Sequence, residues 1–67
     1  MNNFAVRLSA NGESQLWFVR CASRAEAEEL VMGQSGSLAA PTVEIQAATD
    51  VEVAILNLND NIPRQWF

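Results

Sequence analysis

Residues 4–21 read FAVRLSANGESQLWFVRC, and the pair at their centre, Asn11-Gly12, decides how the chain folds. Asparagine and glycine are the residues that most readily take positive φ, and a two-residue hairpin turn of type I′ needs positive φ at both central positions. Before the pair, Phe4, Val6 and Leu8 alternate with Ala5, Arg7 and Ser9; after it, a second run occupies Ser14 to Cys21. Period two is the pattern of a half-buried strand, so the stretch reads as a β-hairpin. With only two residues turning, Ala10 faces Glu13, Leu8 faces Gln15, Val6 faces Trp17 and Phe4 faces Val19. One side of the ribbon then carries Phe4, Val6, Leu8, Trp17, Val19 and Cys21, which is the composition of a core face. The other carries Ala5, Arg7, Leu16, Phe18 and Arg20 and is mixed.

Working outward, Ser23-Arg-Ala-Glu26 is a capping box, in which the hydroxyl accepts the backbone N–H three residues on and the carboxylate reaches back to the cap. A helix starts there, with Ala27, Leu30 and Val31 on one side and Glu26 and Glu29 on another. Gly33 is expected to end it, and residues Gly33 to Pro41, small and rich in Gly and Ser, read as a surface loop. Thr42 to Ala47 alternates again and gives a third strand. The next segment fits two patterns. Val51, Val53 and Ile55 are β-branched at period two, whereas Val51, Ala54, Ile55 and Leu58 recur at helical spacing. A second capping box, Thr49-Asp-Val-Glu52, favours a helix from Asp50 to about Asn59 over a fourth strand. Asn59-Asp60-Asn61 is turn-like and Pro63 bars further helix. The expected fold is a single α+β domain over residues 1–67. It consists of an antiparallel β-hairpin plus a third strand with one or two helices, in the order ββαβα with ββαββ as the alternative, built as one pair of layers.

Sixty-seven residues hold one thin core, since a chain of this length buries only about 60% of its unfolded surface. Hydrophobic residues at 49% are too many for a disordered segment. A core this thin usually gains from a staple, and the lone Cys21 cannot form an intramolecular disulfide, which leaves association with another chain. The single thiol, and the lack of a charged start with a long apolar run after Met1, point to the cytoplasm. The longest apolar runs, Leu16 to Val19 and Val53 to Leu56, are far short of the ~20 residues that span a bilayer, so no membrane role is expected. Four Arg against eight Asp plus Glu leave a net charge of −4, which disfavours nucleic acid as a partner.

The residue inventory restricts chemistry further. No His, Lys or Tyr occurs, which removes the commonest general base, the Schiff-base amine, the phosphate-loop cation and the phenolic acid. A catalytic role is therefore not expected, nor is a cofactor. One cysteine without histidine cannot make a zinc site, and Asp50, Glu52 and Asp60 lack calcium-loop spacing, so no metal is expected. Glu26, Glu28 and Glu29 lie close enough to suggest an acid/base pair, but in the first turns of a helix they read as capping and solvated charges. Cys21, on the core face, reads as a buried inert thiol. Gly33-Gln-Ser-Gly36 lacks the Lys of a phosphate loop and reads as a connector.

Two features ask for a partner. Leu16 and Phe18 stand between Arg7 and Arg20 on the mixed face, a composition enriched at interface hot spots. If that face is open, Phe18→Ala should weaken a complex by at least ~2 kcal/mol and leave the fold intact. Trp66 and Phe67 are the second feature, an aromatic pair able either to finish the core or to anchor in a partner. Together they suggest a non-enzymatic protein-binding module, a regulator or inhibitor that occupies a partner protein surface, with a homodimer as one form of that contact. Open sheet edges give such a dimer another route. One alternative is an acidic nucleic-acid mimic that blocks a basic site with Glu26, Glu28, Glu29, Glu44 and Glu52. A small structural subunit of a larger assembly is the other.

Overall fold

A computed structural model describes residues 1–35 and 40–67. The elements run β1 (Asn2–Ala10), β2 (Glu13–Cys21), α1 (Arg24–Ser35), β3 (Thr42–Ala47), α2 (Asp50–Leu56) and β4 (Arg64–Gln65). They form an antiparallel four-stranded sheet in the order β3-β1-β2-β4 with two helices, an α+β fold built on a β-hairpin. The hairpin has the expected register: Ala10 opposes Glu13, Leu8 opposes Gln15, Val6 opposes Trp17 and Phe4 opposes Val19. Its cause is the expected one, because Asn11 and Gly12 take φ of 52° and 82°.

Alternation along this ribbon sorts the side chains onto two faces, and each face has its own helix. On the first, Phe4, Val6, Leu8, Trp17, Val19 and Cys21 join Ala27 and Val31 of α1 in the main core, with Leu30, Val43 and Ile45 at its margin. The Trp17 indole donates from Nε1 to Gln15 Oε1 at 2.9 Å, so its burial leaves no unpaired donor. On the second, Ala5 and Phe18 pack with Leu56 of α2, flanked by Leu16, Ala48 and Leu58. The sheet is thus covered on both sides, where one pair of layers was expected. The expected layer pair fails because α2 crosses to the face that α1 leaves empty.

The second capping box forms in full and the first only in half, since the Glu26 carboxylate bonds the residue before the cap and not Ser23 itself. Glu26 N–H donates to Ser23 Oγ at 3.3 Å, and Glu26 Oε2 accepts from Ala22 N–H at 3.1 Å, one residue before the cap. At α2 the exchange is reciprocal: Glu52 N–H to Thr49 Oγ1 at 3.2 Å and Thr49 N–H to Glu52 Oε1 at 2.8 Å. Gly33 does not end α1, which continues to Ser35. A single glycine costs about 1 kcal/mol in a helix, too little to stop one already anchored by Ala27 and Val31. Residues 36–39 of the expected loop lie outside the described residues. Helix α2 stops earlier than expected, because Asn57 takes the left-handed conformation at φ 49° and caps it. Strand β4 has no counterpart in the sequence reading. No helix among the described residues is long and apolar enough to cross a membrane.

Candidate functional site

The mixed face of the hairpin was the expected contact surface, and α2 closes the centre of it. Phe18 is only 2% exposed, lies against Leu56, and receives the Trp66 ring edge-on with centroids 6.4 Å apart and planes at 89°. The expectation of an open Phe18 is therefore overturned, and with it the use of Phe18→Ala as a clean affinity probe, since that change would now hollow the core. Leu16 is half-buried beside it. The flanking guanidinium groups do not frame an exposed ring. Arg20 is drawn to Asp60, Nε to Oδ1 at 3.1 Å, and Arg7 is exposed in register between Leu16 on β2 and Glu44 on β3.

What seals Phe18 is itself partly open. Backbone bonds from Trp66 N–H to Leu16 O at 2.7 Å and from Leu16 N–H to Phe67 O at 3.0 Å hold the 64–67 segment along β2. Trp66 and Phe67 are anchored through the main chain while their side chains remain exposed. On α2, Leu56 is the one buried side chain, and Val51 and Ile55, one turn apart, face solvent. Ile55 and Trp66 stand on either side of a shallow cleft of about 130 Å³ whose floor is Leu16, Phe18 and Leu56 and whose rim includes Glu52. The expected site residues Leu16, Phe18 and Trp66 are thus brought together, with Phe18 as floor. Arg7 and Arg20 lie outside the cleft, and Phe67 does not line it.

Val51 and Ile55 are not among the contact residues expected from the sequence. Their helical spacing was visible, but both α2 stripes are apolar enough to be core, and the buried one runs through Leu56. The ends of α2 hold its outward stripe in place. Thr49 and Glu52 fix the start, Asn57 the stop, and Arg64 donates from Nη1 to Leu56 O at 2.7 Å, setting a cation on the negative end of the helix.

The acidic residues do not gather. Glu26, Glu28 and Glu29 sit on α1 over the first face, whereas Glu44 and Glu52 belong to the second. Among the described residues no group of three His, Cys, Asp or Glu side chains comes within reach of a common metal ion. No buried side-chain nitrogen or oxygen there lacks a partner. Cys21 is fully buried, its Sγ donating to Ser23 O at 3.2 Å; burial pushes the thiol above its ordinary pKa, and the Glu26 carboxylate adds to the rise. It is poorly suited to nucleophilic or redox work. A second cleft, of about 220 Å³, lies among Asn57, Leu58, Asn59, Ile62, Pro63 and Arg64 and is lined mainly by turn residues. The chain matches no family model, no curated protein and no solved structure.

Proposed function

We propose that the protein is a non-enzymatic protein-binding module, a regulator or inhibitor that works by covering a protein surface, and that its contact face is the cleft between α2 and Trp66. The observation that carries this reading is Ile55 set against an exposed Trp66 over an apolar floor, with Val51 exposed one helical turn away beside the cleft. Monomeric proteins seldom expose large contiguous apolar patches without using them, and tryptophan is among the residues most enriched at binding hot spots. The non-enzymatic part rests on the inventory, which holds no His, Lys or Tyr. A cytoplasmic location belongs to the same proposal and rests on the lone buried thiol. The nucleic-acid mimic draws little support, because its five carboxylates are divided between opposite sides of the sheet.

A photo-crosslinking amino acid placed at Val51, and separately at Glu28 on the far side, tests the reading in cells that express the chain. Position 51 should yield a discrete adduct that Ile55→Glu abolishes, while position 28 yields none. Equal labelling from both positions, or none from either, would sink the proposed face.

A further inference from the structure

We propose that the surface covering the α2–Trp66 cleft is a second copy of this chain, docked about a two-fold axis; this rests on the reading of that cleft as a contact face. Three observations select this occupant.

The first is the distribution of charge. On the cleft side of the sheet Arg7, Arg20 and Arg64 nearly offset Glu44, Asp50, Glu52 and Asp60, while α1 on the far side sets Arg24 against Glu26, Glu28 and Glu29. With Glu13 at the hairpin turn making up the rest of the chain's net charge of −4, only one net negative charge lies on the cleft side. A two-fold contact meets its own image, so it needs both signs on one patch and like charges kept distant. The cleft side meets both conditions, and the acidic α1 layers of the two copies would point outward, away from each other.

The second is area. Val51 and Ile55, each 67% exposed, and Trp66, 57% exposed, present on the order of 350 Å² of apolar surface, taking aromatic side chains at ~150–250 Å² and aliphatic ones at the low end. One side of the smallest specific interfaces buries about 600 Å², a little over half of it apolar, which is the same amount. This is enough for a reversible dimer.

The third is that the competing route to a dimer is obstructed. Ala48 N–H donates to Asn3 O at 2.9 Å, which sets the phase of the β1–β3 ladder, so Val43, Ile45 and Ala47 turn their backbone groups to the open edge. Arg24 Nη1 donates to Ile45 O at 2.6 Å and occupies the middle of that edge. A β3–β3 pairing would have to displace it.

Sedimentation equilibrium of the full chain, from about 1 µM to about 1 mM, covers the affinities of weak to moderate dimers. The average mass should rise from 7.4 kDa toward twice that value, and Val51→Glu, on an exposed position, should hold it at 7.4 kDa with its circular dichroism unchanged. Amide exchange on the unsubstituted chain gives a readout free of any folding defect. The amides of α2 and residues 64–67 should slow several-fold as concentration rises, while those of Val43, Ile45 and Ala47 do not change. A chain that stays monomeric throughout, a mass unaffected by Val51→Glu, or protection arising at β3 overturns the dimer. The first of these leaves the contact face intact if position 51 still crosslinks to an adduct heavier than two chains. Loss of that adduct as well removes the face itself.

Discussion

The two faces of the sheet carry apolar residues from the same hairpin, yet they are finished differently. On the α1 side, Val6, Leu8, Val19, Cys21 and Val31 are all fully buried, and a twelve-residue helix supplies the cover. On the α2 side a seven-residue helix contributes one buried side chain, Leu56, and turns Val51 and Ile55 outward. The first face is closed and structural. The second is closed just enough to protect Phe18 and otherwise left apolar. In this small chain most of the buried side chains lie on one side, and the proposed contact surface lies on the other.

The largest effect should come from the closed side. Leu8→Ala removes a fully buried side chain from the main core, and the loss should be about 3 kcal/mol or more. Against the marginal stability of so small a domain, that change should populate unfolded chain at room temperature. Leu56→Ala makes the same chemical change beside an open cleft, where neighbours and water can fill the gap, so the loss should be about half as large. Urea unfolding of both variants measures the ratio. Equal losses would mean that the two layers form one evenly shared core and that the comparison fails.

The hairpin was legible because everything that sets it is local: Asn11-Gly12 fixes the turn and period two fixes the faces. The existence of α2 was legible for the same reason, through Thr49 and Glu52. Its phase was not. A helix of two turns with Val51, Val53, Ile55 and Leu56 offers an apolar stripe on more than one side, and which is buried depends on contacts with distant β2 residues. The covering of Phe18 was hidden likewise, since Trp66 reaches it only after β4 pairs with β2. Two residues of strand are too short to show a period. Of the expected contact residues, Trp66 stays exposed at the cleft by the same geometry that buries Phe18 in its floor.

The next effect falls on the α2 side. Thr49→Ala removes the hydroxyl that accepts from Glu52 N–H, and loss of such a cap should cost about 1 kcal/mol. A helix of seven residues is far too short to hold itself, so this loss should open α2 before the sheet unfolds. Amide exchange should speed at Val53 through Asn57 and stay unchanged at Val6, Leu8 and Val19. Uniform acceleration across both groups would show that α2 does not open separately.

The smallest effect has the opposite sign and belongs to α1. Gly33 is helical, has ordinary negative φ, and a methyl group built on it would meet nothing within 4 Å. Gly33→Ala should therefore stabilise the protein by about 0.5–1 kcal/mol, chiefly by lowering the freedom of the unfolded chain. Because α1 covers the face whose loss unfolds the whole sheet, the gain should appear in global unfolding and not only in exchange near Gly33. It should leave the α2–Trp66 cleft, on the other side of the sheet, unaltered. The same urea titration decides the point: a raised midpoint with unchanged slope places α1 in the global cooperative unit. An unmoved midpoint would mean that the last turns of α1 fray independently, and that the closed side ends at Val31.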